Sequence, residues 1–190
     1  MTKYSQFMID IETLGNTSNA AVVQIGCVGF NPIDGSVGAP FKINVTPHPK
    51  STMDFSTVQW WMGQSDAARK SVFEGQFFDP KEALEAFSAH IKEHASEYGH
   101  KVWSKPSTFD IVILENLYRN VGLIPPWAHW NTRCLRTIIE AANLQRYEEV
   151  VPEIAHDAAS DAQAQALTVI KCHDKLVAGL TKKPIDNGNA

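Results

Sequence analysis

The sequence predicts a chain of the α/β class, an antiparallel three-strand meander followed by helices. Three observations lead there. The first 45 residues divide into three apolar runs of strand length separated by turn clusters. From about Thr52 the apolar spacing turns helical, and one further strand-like run, Lys101-Val102-Trp103-Ser104, interrupts that helical part. Consecutive strands joined by short turns pair antiparallel, because parallel neighbours need a long crossover.

Taken in order, Phe7 to Thr13 is the first strand, apolar except for Asp10 and Glu12. Leu14 to Asn19 is a turn cluster, and Ala21 to Phe30 a second, mostly apolar strand. Asn31-Pro32-Ile33-Asp34-Gly35 turns the chain by its Pro, Asp and Gly into a third strand near Pro40 to Val45. Pro47 and Pro49 punctuate the change to helix. The clearest helix has Asp79 as cap, Pro80 at its first position and Glu82 placed for a capping box, with Leu84, Phe87, Ile91 and Tyr98 forming its buried stripe. A helix from about Thr108 to Val121 and another from about Arg133 to Leu144 flank Pro125-Pro126. The last helix, Asp157 to about Gly179, carries Leu167, Ile170 and Val177 inward.

With 190 residues, 44% of them hydrophobic and 20% charged, the chain suits one domain over residues 1–180, with residues 181–190 a disordered tail. No apolar run approaches the ~20 residues of a membrane span, and the first residues lack a signal-peptide pattern, so a cytoplasmic location is expected. Cys27, Cys134 and Cys172 are odd in number and scattered, and read as buried thiols. The net charge of −4 disfavours a nucleic-acid partner only if the acids stay uncompensated. Two divalent ions bound by four of those acids would cancel it.

Asp10 and Glu12 stand at i and i+2, where a strand points both side chains to one face. Two charges at the end of an apolar strand need a positive group between them, and carboxylates suit Mg²⁺ or Mn²⁺. An acidic outer face of an edge strand is the plainer reading. Asp110 falls in register with the stripe of Leu114, Leu117 and Val121, which turns a carboxylate inward; with Ser107 as cap, it would equally suit the helix dipole. His156 and Asp161, five apart, cannot share a helix face. They converge if His156 lies on the preceding loop and Asp157 caps the helix, whose Ala158, Ala159, Ser160 and Ala162 permit close approach to a sheet. A solvated capping segment is the alternative.

Together, Asp10-Ile11-Glu12-Thr13, Phe109-Asp110 and the H-x-A-x-x-D-A segment from His156 to Ala162 resemble, in order and spacing, the three exonuclease motifs of the DEDDh branch of the DnaQ-like 3′–5′ exonucleases. Ser56-Thr57-Val58-Gln59-Trp60-Trp61 and Pro126 to Arg133 are similar to the ribonuclease AS group and to exonuclease A of T-even-type phages. Cys134 departs from that pattern, which carries an acid there, so no role for that acid is transferred.

The resemblance implies a ribonuclease H-like mixed sheet with helices on both faces, and two-metal hydrolysis of phosphodiester bonds. It makes Asp10, Glu12, Asp110 and Asp161 the ligands of two Mg²⁺ or Mn²⁺ ions, Asp10 touching both. His156 becomes the general base, a task that the ordinary histidine pKa of ~6.5 suits. The substrate is the 3′ end of single-stranded DNA or RNA, released as nucleoside 5′-monophosphates, with Thr13, Leu14 and Phe109 beside the terminal nucleotide. Trp60 and Trp61 diverge by ~100° on a helix, so at most one faces the substrate while the other is core; Trp61 is the one assigned to the substrate. A homodimer is suggested by the ribonuclease T and ribonuclease AS relatives. The competing readings are a phosphodiesterase for short oligonucleotides and a non-catalytic nucleic-acid-binding module of the same fold.

Overall fold

The structure, a computed structural model, describes residues 2–181, so the tail expected beyond Thr181 lies outside the described residues. Strands β1 (Gln6–Thr13), β2 (Val22–Asn31), β3 (Ser36–Val37) and β4 (Phe41–Val45) come first. Helices α1 (Phe55–Met62) and α2 (Asp66–Phe73), strand β5 (Phe77–Phe78) and helix α3 (Pro80–His94) follow. The chain ends with β6 (Lys101–Ser104), α4 (Asp110–Asn120), β7 (Thr132–Cys134), α5 (Leu135–Ala141) and α6 (Ala158–Thr181). The sheet order is β5-β4-β2-β1-β6-β7, with β3 a short addition to β2. β1, β2 and β4 pair antiparallel, which is the expected meander, and β6, β7 and β5 join parallel to their neighbours. This is the mixed, helix-flanked sheet that the family resemblance implied.

Alternation along β1 divides the core in two. Phe7, Ile9 and Ile11 face one side, where they meet Leu84, Phe87 and Ile91 of α3 and Ile113, Leu114 and Leu117 of α4. Met8 faces the other side with Val28, Trp103, Leu135, Ala162, Ala166 and Val169. Asp10 and Glu12 share the parity of Met8, so their carboxylates emerge on the α6 side, just past the end of that second core.

Two features open the site. β6 pairs with β1 only from Gln6 to Met8, so beyond Met8 that edge of β1 has no strand partner. Side chains from α4 and α6 can therefore reach its carboxyl end, the position where α/β sheets hold ligands. The start of α6 also sits directly on β2: a Cβ built on Gly26 would lie 2.1 Å from the carbonyl carbon and oxygen of Ala158 and 2.4 Å from the Ala159 nitrogen. Gly26 is the cross-strand partner of Asp10, so this close approach brings the helix beside the acids.

Several local expectations change. Asp79 caps α3 by accepting from the Lys81 N–H, but the helix ends at His94 and Tyr98 is 92% exposed, outside the stripe it was expected to join. Residues 132–134 form a parallel strand rather than the first turn of a helix, and β5 was missed; both pairings depend on a distant neighbour. On α6 the buried residues are Ala158, Ala159, Ala162, Ala164, Ala166, Thr168, Val169 and Cys172, while Val177 is exposed and Leu167 and Ile170 are only partly covered. Small residues, not large ones, line the seam, because the helix axis runs so close to the sheet. Among the described residues, no helix is long and apolar enough to cross a membrane.

Candidate active site

The site is assembled by three supports. β1 provides the buried Glu12 and, one pleat earlier, Asp10. α4 provides Asp110, its first residue, 3% exposed. Phe109 rather than Ser107 holds the cap position, without a side-chain cap, and Asp110 Oδ1 turns inward to accept the Ile11 N–H at 3.2 Å. That N–H belongs to the part of β1 left without β6, so the splay of the two strands creates the need that Asp110 meets. Its Oδ2 is buried with no hydrogen-bond partner.

α6 and the loop before it provide the rest. Three anchors hold the helix start: Gln24 Oε1 accepts the Ala158 N–H at 2.8 Å, Asp157 Oδ1 accepts the Ser160 N–H at 2.8 Å, and Lys42 and the Ser71 hydroxyl donate to Asp157 Oδ2. Burial opposes the charge on Asp157, but Lys42 and Ser71 outweigh it and keep this carboxyl below its usual range. His156, immediately before, adopts a left-handed φ of 63°, a conformation that costs a residue with a Cβ roughly 1 kcal/mol or more. Asp161 Oδ2 accepts the His156 N–H at 2.7 Å and holds that conformation. Ligand atoms of Glu12, His156 and Asp161 all lie within 4.8 Å of one another.

The acids repel one another. Burial, then the charges of Asp110, Glu12 and Asp161, push Asp10 well above the ordinary carboxylate range. Burial and the charges of Asp161 and Asp110 do the same to Glu12. Burial raises Asp110 to about 7, despite the Ile11 N–H. Burial also raises Asp161. Hard oxygen donors, an unpartnered buried Oδ2 and carboxyls raised by burial and crowding are what a divalent cation relieves, so the donor set fits one.

The residues expected to touch substrate divide differently. Thr13 is buried, its hydroxyl donating to Gly15 O at 2.7 Å. Leu14 packs half-buried with Val23 and Trp61, and Phe109 packs against the main core. Trp61 is 2% exposed and donates its indole N–H to Thr13 O at 2.9 Å, so its assignment to the substrate is corrected: it braces β1 instead. Trp60 is the open ring, 45% exposed, standing edge-on to His156 with centroids 4.8 Å apart. Gln165, overlooked in the sequence, donates to Asp10 Oδ1 at 2.7 Å. Its only trace there is its spacing of four from Asp161, which sets both on one helix face.

A model of the 3′–5′ exoribonuclease Rv2179c-like domain matches residues 5–173. The chain belongs to this family. It is also 26% identical to the exodeoxyribonuclease of Enterobacteria phage T4 over 212 aligned residues, covering 94% of this chain and 92% of that one. Among solved structures, the nuclease domain of 3′hExo, a DEDDh family member bound to rAMP, superposes with a TM-score of 0.57 at 15% identity over 88% of this chain and 91% of that one. E. coli exonuclease I in complex with a dA16 oligonucleotide gives a TM-score of 0.60 at 17% identity, over 93% of this chain but 43% of that longer one. At such identities the structures establish the shared ribonuclease H-like fold. With the family match they identify this member as a 3′–5′ exonuclease, a hydrolase of nucleic acid.

Proposed function

We propose that this exonuclease removes nucleoside 5′-monophosphates from the 3′ end of single-stranded DNA or RNA, using two Mg²⁺ or Mn²⁺ ions. The observation that carries this reading is the meeting of Asp10, Glu12, Asp110, His156 and Asp161 from three separated parts of the chain at the open edge of β1. The four carboxylates would hold the metal, which when bound supplies Lewis-acid stabilisation of the phosphate charge and a water made more acidic. His156 accepts the proton of the attacking water. The water oxygen bonds to phosphorus, the bond from phosphorus to the O3′ of the preceding nucleotide breaks, and that oxygen takes a proton from solvent. Glu12 and Asp161 orient the reacting group, and the left-handed turn keeps the imidazole at their edge.

Incubation of 5′-labelled DNA and RNA strands tests the reading. A ladder shortening from the 3′ end, stopped by EDTA, is the expected result, and comparing the two sugars names the substrate. A two-nucleotide substrate consumed much faster than a 30-nucleotide strand would favour the oligonucleotide-specific alternative instead. In the same assay His156→Ala should lower kcat by about 10²–10⁴-fold while Mn²⁺ still raises its thermal midpoint as in the wild type. Loss of that metal-dependent rise would make His156 a ligand rather than the base.

Thr13, Leu14 and Phe109 flank the acids in this reading, and Trp60 replaces Trp61 as the ring against the terminal base. A stack of ~1–3 kcal/mol per base means that Trp60→Ala should raise KM by about tenfold. An unaltered KM would remove that ring from the substrate path.

A further inference from the structure

We infer that Gln165 is a positioning residue for Asp10, and that its amide sets how tightly the acid cluster holds a divalent cation. This rests on the metal-dependent reading above. Asp161 and Gln165 are four residues apart on α6, so one helix face presents a carboxylate to Glu12 and, one turn later, an amide to Asp10. The amide nitrogen donates to Asp10 Oδ1 at 2.7 Å, the one hydrogen bond made by that carboxylate among the described residues. An ionised carboxylate only accepts, so the contact dictates which end of the amide faces Asp10. The other end, Gln165 Oε1, is then buried with no partner. The amide thus commits its donor end to Asp10 and leaves its acceptor end without a partner among the described residues.

The physical consequence follows from where Asp10 stands. Asp10 is crowded by the carboxylates of Glu12, Asp110 and Asp161, and the Gln165 amide is the donor that reaches it. The amide also selects one rotamer of the carboxylate, leaving Oδ2 free of it. A donor to a ligating carboxylate acts on the metal through that carboxylate, with effects on affinity of 10–100-fold.

The test titrates Mn²⁺ into the full chain by calorimetry, comparing wild type with Gln165→Met, which keeps the side-chain length but has no donor. The expected result is Mn²⁺ binding about 10–100-fold weaker, with an unchanged far-ultraviolet spectrum and a smaller Mn²⁺-induced rise in thermal midpoint. At saturating Mn²⁺, kcat should return to within a few fold of wild type. Gln163→Met, an exposed neighbour on the same helix, should bind Mn²⁺ like the wild type. Should Gln165→Met fail to fold, Gln165→Asn, whose amide is one methylene short of Asp10, is read by the same criterion. Wild-type Mn²⁺ affinity in the folded variant, or a kcat deficit that persists at saturating metal with affinity intact, overturns the inference. A wild-type protein that binds no Mn²⁺ would instead sink the metal-dependent reading beneath it.

Discussion

Asp10→Asn should reduce 3′-terminal hydrolysis by at least about 10²–10³-fold and, in EDTA at pH 7, raise the thermal midpoint by about 3–5 °C. Losing activity while gaining stability separates this effect from simple misfolding. Asparagine is nearly isosteric and can still accept from Gln165, so the fold keeps its contacts. What disappears is a charge held among the carboxylates of Asp110, Glu12 and Asp161 in a desolvated place. Without metal that charge is a cost to the folded state; with metal it is the source of binding. The Mn²⁺-induced stabilisation of the wild type should accordingly vanish in the variant. Asp110→Asn should behave alike, through an acid whose Oδ2 has no partner to lose.

Burial of Asp110 sets a pH dependence. Asp110 ionises near the ordinary carboxylate value of 3.8 when unfolded and at about 7 when folded. Between those values the folded state holds more protons on Asp110, so its contribution to metal-free stability falls as pH rises from about 4 to 7 and is constant below that window. A metal-free thermal midpoint higher at pH 5 than at pH 7.5, with Mn²⁺ abolishing the difference, is expected. A metal-free Asp10→Asn less stable than the wild type at pH 7 would mean that the acids do not repel as described.

The second large effect lies outside the acids. Gly26→Ala should lower stability by at least about 3 kcal/mol, a fall of about 10 °C in thermal midpoint, and remove activity even where folded protein remains. The added Cβ would stand 2.1 Å from the backbone of Ala158, and backbone cannot rotate away as a side chain can. Relief requires the start of α6 to lift from β2. That movement breaks the Gln24 contact to the Ala158 N–H and carries His156 and Asp161 away from Glu12. Gly35→Ala, with nothing within 4 Å but a left-handed φ of 72°, provides the contrast: a modest loss of stability from backbone strain, with full activity. Equal, small effects of the two substitutions would show that α6 can shift without consequence for the site.

How much of this was legible follows from the range of the forces involved. The meander could be read because strand period and turn chemistry act over a few residues: β1, β2 and β4 lie close to the expected bounds. β7 could not, since Thr132 to Cys134 are strand only by virtue of pairing with Val102 to Ser104. The seam of α6 was misread for a related reason. Large apolar residues at helical spacing normally mark the buried face, yet here Val177 is exposed while Ala162 and Ala166 pack inward. How near a helix lies to its sheet is a property of both surfaces, and Gly26, the residue that permits the approach, is 132 positions before Ala158 in the chain.

What the sequence by itself determined is the chemistry available: which residues carry carboxylates and imidazole, in what order, and on which local element each stands. The tertiary structure decided which of them share a space. Asp110 meets Ile11 because β6 leaves β1 after Met8; Trp60 rather than Trp61 opens toward His156; and Gln165, unremarkable in the sequence, reaches Asp10. Hydrogen-bonding periodicity is local and repeats along the chain, whereas the direction of a side chain across a cleft depends on how distant backbones pack.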